Sequence, residues 1–136
     1  MKAFIAGVLV VGVIRFLLTV SGLPDETVKY FSMSVVIAVG AGYFALVTTS
    51  RRERLQAAFL LIMPYMIIEV AALAYTWATG HPTIFHAQEY SFGVSIGWHT
   101  IGHLVGGFTW EPLILFVLME VIRISTTFVA RLISGG

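Results

Sequence analysis

The sequence predicts an all-α integral membrane protein: four transmembrane helices plus one inserted or re-entrant glycine-rich helix, long enough to be a fifth span. Three observations carry this. Hydrophobic residues make up 58% of the 136-residue chain and charged residues 11%, whereas soluble domains run at about 45–50% and about 25%. A chain this short cannot hide so much apolar surface inside itself, because small domains bury proportionally less. The apolar residues are also gathered into runs of about 20, the length of a bilayer-crossing helix. The length fits a single domain, 1–136.

The first span, 3–20, is apolar apart from Arg15. It has the outline of a signal peptide, but Arg15 interrupts the apolar stretch, and it reads as a retained membrane helix. Ser21-Gly22-Leu23-Pro24 and the acidic Asp25-Glu26 end it. The second span, 30–49, has no charged residue and closes on Arg51-Arg52-Glu53-Arg54. The third, 55–79, carries one charge, Glu69, and stops at Gly80-His81-Pro82. The last, 110–133, opens with Thr109 as an expected N-cap and with Glu111 and Pro112 in its first turn. Between the third and last spans, the inserted segment 90–107 has no Asp, Glu, Lys or Arg, five glycines and two histidines. Irregular backbone at membrane depth is tolerated only when protein or a wet cavity surrounds it, so this segment is expected to pack against the other helices.

Charge sets the expected topology. Arg51, Arg52 and Arg54 mark a cytoplasmic loop by the positive-inside rule. Lys2 then lies inside and the Asp25-Glu26 loop outside. Four spans bring Arg131 inside as well, whereas five would put it outside. The expected location is the plasma (inner) membrane with both termini cytoplasmic. Small residues recur every fourth position in Ser34/Ala38/Gly42, Gly93/Gly97 and Gly102/Gly106, a spacing that lets helices approach closely in lipid. Pure packing explains them all. Because four spans are few for enclosing a site, a homodimer is expected. No internal or inverted repeat of the transporter kind is visible.

Composition also excludes functions. A net charge of +1 leaves no basic field for nucleic acid. The absence of cysteine removes disulfides, thiolate metal sites and cysteine-ligated clusters. No Ser/His/Asp series, phosphate loop or dinucleotide fingerprint is visible.

What remains is a set of ionisable residues inside the spans: Arg15, Glu69, Glu120 and Arg123. An intramembrane charge is costly and needs a partner or a purpose. Glu120 and Arg123 are i, i+3 and are expected to pair on one face near mid-depth. Arg15 is then left for Glu69. The stripe Ile62, Tyr65, Ala72 and Thr76 around Glu69 is small and partly polar, so Glu69 is expected to face protein and to serve as a general base or ligand. His99 and His103 are i, i+4, the separation at which two imidazoles bind one transition metal. His99-Thr100-Ile101-Gly102-His103 has the spacing of the zinc-protease motif without its glutamate, so that enzyme class is not indicated. His86 and Glu89, at i, i+3, are further candidate ligands. Imidazole and carboxylate without thiolate suit Zn, Fe, Mn or Cu, and two histidines on different helices suit haem. His81 reads as a helix-stop residue. Trp77 and Trp110 suit an interfacial aromatic belt, and Trp98 could line a pocket.

Three functions follow as expectations. The first is an intramembrane His/Glu site that binds a transition metal or haem and acts on a lipid-soluble small molecule. The second is a proton-relay or transport protein using Glu69, Glu120 and Arg15. The third is a non-catalytic accessory subunit of a larger membrane complex.

Overall fold

The computed structural model describes residues 1–24, 27, 28, 31, 34–81, 101, 102 and 104–135. All regular structure among them is helical. Three helices are long and apolar enough to cross a membrane: α1 (Lys2–Val20), α3 (Arg51–Thr79) and α4 (Gly106–Ser134). Within the second expected span, 30–49, the described helix is α2, residues 36–47, made of Val36–Ala41 and Gly42–Val47, which is shorter than a membrane crossing.

Local chemistry explains where these helices stop. Gly22 (φ 76°) follows the end of α1, and Gly80 (φ 71°) caps α3; both φ values favour glycine. The third helix begins four residues before the expected boundary at 55, because Ser50-Arg51-Arg52-Glu53 is a reciprocal capping box. Ser50 Oγ accepts from the Glu53 N–H at 3.2 Å, and the Glu53 carboxylate accepts from the Ser50 N–H at 3.3 Å. At the other end of the chain the expected N-cap at Thr109 is not formed. Helical backbone runs through Gly106–Trp110 as a wide, i→i+5 turn into Glu111, and the Thr109 hydroxyl donates to the Val105 carbonyl instead. The reason lies in Pro112: it lacks the N–H that an ordinary turn would use, and a widened turn absorbs that loss.

Contacts fix the relative directions. Gly7 of α1 lies against Leu61 and Pro64 of α3, and Arg15 meets Glu69, so α1 runs parallel to α3. Gly107 of α4 lies against Met66, and Glu120 meets Arg54, so α4 runs antiparallel to α3. Gly40 lies against Leu61, and the Arg54 guanidinium donates to the Thr48 carbonyl, so α2 is also antiparallel to α3. α1 thus runs alongside most of α3, whereas α2, 12 residues or about 18 Å long, lies against the half of α3 nearest Arg54.

The core along this stretch is apolar: Ala41, Phe44 and Ala45 of α2, Ala57, Ala58, Leu61, Ile62 and Met66 of α3, and Leu115 and Met119 of α4. Backbone proximity comes from single glycines. A Cβ on Gly7 would meet the Leu61 carbonyl oxygen at 2.5 Å, one on Gly40 would meet Leu61 Cδ1 at 2.7 Å, and one on Gly107 would overlap Met66 Sδ. The expected stripes behave differently. Ser34 and Ala38 are exposed, and a Cβ on Gly42, Gly102 or Gly106 would meet nothing within 4 Å. Among the described residues these positions meet no neighbouring helix. Gly93 and Gly97 lie outside the described residues.

Candidate functional site: a buried ion pair between the first and third helices

Arg15 and Glu69 are brought together as the only charges of adjacent spans. Arg15 Nη1 lies 2.6 Å from Glu69 Oε1, and the side chains are 2% and 0% exposed. Glu69 reaches this position because it continues the Ile62–Tyr65 face of α3 by one turn. Ile62, Tyr65, Glu69, Ala72 and Thr76 are all buried. Leu61 is buried as well, because Gly7 and Gly40 approach it from two helices. The Arg15 guanidinium also covers the Tyr65 ring, 4.8 Å from its centroid, a geometry in which the ring quadrupole attracts the cation. Glu111, at the start of the regular turns of α4, comes within electrostatic reach of Tyr65. Three helices therefore contribute a cation, two carboxylates and a phenol to one small region. Wide turns in α1 (Val8–Ile14), α2 (Val36–Ala41) and α4 (Gly106–Trp110) lie at neighbouring levels, and such turns recur at functional sites.

The surroundings of the cluster are asymmetric. Toward Arg54 lies the apolar core of Ala57, Ala58, Leu61, Leu115 and Met119. Toward Gly80 lies Thr76, buried, its hydroxyl donating to the Ala72 carbonyl at 3.0 Å. On that same side a groove of about 530 Å³ is lined by Val70, Leu73, Ala74, Trp77, Ala78 and Leu104. Leu73 lines the groove and is itself buried, so it stands between the groove and the face that carries Glu69.

The second expected pair is corrected. Glu120 does not pair with Arg123. Its carboxylate accepts from Arg54 Nε at 2.5 Å and lies 3.4 Å from Arg51 Nε, while Arg123 donates to the Leu46 carbonyl at 3.1 Å. The physical reason is register. Antiparallel α4 carries Glu120 to the first turn of α3, where two arginines converge on it from another helix. The same register moves Glu120 from the expected mid-depth to the edge of the bundle, with 16% of its side chain exposed.

The four proposed metal ligands, His86, Glu89, His99 and His103, lie outside the described residues, as does Trp98. Among the described residues no group of three or more His, Asp or Glu is placed to hold a metal ion. His81 is exposed beside the Gly80 cap, and its N–H donates to Thr79 Oγ1 at 3.2 Å. Trp77 and Trp110 are exposed. Tyr65 and Glu111 were not singled out as site residues by sequence. The i−4 spacing of Tyr65 from Glu69 was the available signal for one, whereas only the packing of α4 reveals the other. Comparison of the chain with protein-family models, with curated proteins and with solved structures gives no match.

Proposed function

We propose that this is a membrane protein of four crossings whose Arg15–Tyr65–Glu69 cluster, with Glu111 beside it, is an intramembrane site reached from the outer half of the bilayer. There it takes a lipid-soluble small molecule, with Glu69 as general base or ligand. A transition metal (Zn, Fe, Mn or Cu) held by His99 and His103, with His86 and Glu89 as further ligands, or a haem held between His86 and His99 or His103, completes the site. The observation that carries the reading is the fully buried Arg15–Glu69 pair. Buried ion pairs are weak devices for stability, since apolar side chains of the same volume often serve as well, and ionisable residues at membrane depth mark sites.

Three further observations support it. Thr76, polar and buried, and the apolar groove lie toward one end of the bundle from the pair. The segment bearing the histidines is joined to that same end through Gly80 and Ile101, and antiparallel α3 and α4 require an even number of crossings. Six of the eight Lys and Arg residues, Lys2, Arg51, Arg52, Arg54, Arg123 and Arg131, belong to the opposite end, which by the positive-inside rule is cytoplasmic. The relay alternative through Glu69 and Glu120 fits less well. Fifteen residues of α3 separate Arg54, the partner of Glu120, from Glu69, about 22 Å of helix, and the intervening described side chains are apolar.

The test is an absorption spectrum and elemental analysis of protein purified without chelators. A Soret band or stoichiometric metal is expected, lost in His99→Ala and in His103→Ala and kept in His81→Ala. Glu69→Gln should weaken it. A colourless, metal-free protein with His99→Ala indistinguishable from the parent overturns the metal part. Turnover or binding of a lipid-soluble probe unaffected by Glu69→Gln overturns the rest.

A further inference from the structure

The buried cluster holds one polar group for which the proposed chemistry has no use. Tyr65 stands one turn before Glu69 on the same face of α3 and is 5% exposed. Its ring is covered by the Arg15 guanidinium, 4.8 Å from the centroid. Its hydroxyl is shielded from solvent and reaches no hydrogen-bond acceptor among the described residues. Arg15 is within reach of the hydroxyl oxygen, but a guanidinium has only donors. Glu69 and Glu111 act on the phenol through their charge, and neither accepts from it. A buried donor left unmet is costly, and a phenylalanine would fill the same space without that cost. Tyr43 and Tyr75 raise no such question, because both are half exposed.

Charge decides what can meet that proton. An ammonium group brings no lone pair to accept it. A carboxylate or phosphate would come up against two carboxylates, Glu69 and Glu111, and against a cation, Arg15, that Glu69 already neutralises at 2.6 Å. What remains is a neutral oxygen with lone pairs, and on a lipid-soluble molecule the common form of it is a carbonyl. We propose that the Tyr65 hydroxyl is the recognition donor of this site, and that the molecule it takes bears a neutral carbonyl oxygen, as an ester or ketone does and a fatty acid or an amine does not. The inference rests on the Arg15–Tyr65–Glu69 cluster being a ligand site, and it adds the polar group of the ligand and the residue that reads it. The hydroxyl donates to the carbonyl oxygen while the guanidinium over the ring holds the phenol in place. Water is a weak competitor there, because the surroundings are apolar and the hydrogen bond is strengthened by the low dielectric. No covalent bond forms or breaks in this step.

The test uses the full chain in dodecyl maltoside micelles, a detergent without carbonyl groups. The probes are methyl nonyl ketone, isotopically labelled at its carbonyl carbon, and undecane, which lacks only the oxygen. Carbon NMR should show a second ketone resonance, moved downfield by a donated hydrogen bond. It should be absent from empty micelles and from Tyr65→Phe, and kept in Tyr75→Phe. The parent should take up the ketone about tenfold better than undecane, and Tyr65→Phe should take up both alike. An SDS titration without probe separates an unmet hydroxyl from a structural one. Tyr65→Phe should be at least as stable as the parent, and added ketone should raise the unfolding midpoint of the parent alone. Equal uptake of ketone and undecane by the parent overturns the donor role and leaves the cluster as a site. Uptake of neither probe overturns the donor role together with the reading it rests on. A Tyr65→Phe variant that unfolds at lower SDS than the parent shows the hydroxyl to be bonded within the protein, which also overturns the proposal. So does a shifted resonance that survives in Tyr65→Phe, which assigns the donor to another group.

Discussion

Removing either partner of the Arg15–Glu69 pair should cost far more than removing both. At 2.6 Å, and with an effective dielectric constant of about 20, Coulomb's law gives an attraction of about 6 kcal/mol. Taking two charges out of water offsets much of this, so the pair as a whole contributes little net stability. The asymmetry appears when one member is left alone. Glu69→Gln keeps the shape and strands the Arg15 cation at 2% exposure, and Arg15→Met strands the carboxylate. Each should destabilise by about 3–5 kcal/mol, the range for breaking a buried pair. The lower end is expected here, because the chain unfolded within a membrane also finds partners for its polar groups. The double variant Arg15→Met/Glu69→Met should recover most of the loss and cost about 1 kcal/mol, giving a coupling of about 5 kcal/mol. Reversible unfolding in mixed micelles with increasing SDS measures all four corners of the cycle. Glu120→Gln is the internal contrast: with 16% exposure and two arginines at the edge of the bundle, it should cost about 1 kcal/mol or less. Singles that add to the double within about 0.5 kcal/mol would show that the two charges do not act as a pair, and the site built on them would fall.

Two further outcomes are expected. Gly7→Ala sets a methyl against the Leu61 carbonyl oxygen, a backbone atom that cannot step aside, and should cost about 1–3 kcal/mol as overpacking; Gly107→Ala meets only the Met66 side chain and should be rescued by Met66→Ala, which the same SDS titration reads. Cysteines at Ser50 and Ser134 should react with a membrane-impermeant maleimide from the same side of sealed vesicles, since antiparallel α3 and α4 carry both residues toward the Arg54 end of the bundle; labelling from opposite sides refutes the four-crossing arrangement.

How much of this was legible in the sequence depends on whether the signal was local. The apolar runs, the glycine stops at Gly22 and Gly80 and the meeting of Arg15 with Glu69 follow from composition and from there being one charge in each of two spans. The capping box at Ser50 was equally visible as Ser-x-x-Glu, yet the arginines around it were read as loop, which started the third helix late. That error propagated. With Arg54 assigned to a loop, Glu120 had no visible partner but its own neighbour Arg123. Register between helices is set by packing of notches such as Gly7, Gly40 and Gly107, each a lone glycine. Pattern reading looks for small residues in pairs, and the pairs it found, Ser34/Ala38/Gly42 and Gly102/Gly106, meet no neighbouring helix among the described residues.

The two charge clusters therefore differ in kind although both join α3 to a neighbour. Arg51 and Glu120 sit where the bundle meets water, and their side chains can exchange hydrogen bonds with solvent at small cost. Arg54 is itself buried and holds Glu120 from the α3 side, while Arg51 is open to solvent; together they fix the height of α4 against α3. Arg15 and Glu69 have no such exchange: about 22 Å of α3 lies between Arg54 and Glu69, and the core along it, from Ala57 to Ile62 and across to Leu115 and Met119, is apolar. A neutral Leu pair at the same positions would fill the space without any desolvation penalty. A charged pair held against Tyr65, with Glu111 in reach and an apolar groove one side chain away at Leu73, adds what a Leu pair lacks. In the proposed function it would provide a fixed cation and a fixed base in a medium where a polar group on a lipid-soluble molecule finds no competing water. That difference is why we propose the Arg15–Glu69 cluster as a site and read the Arg54–Glu120 cluster as a clasp.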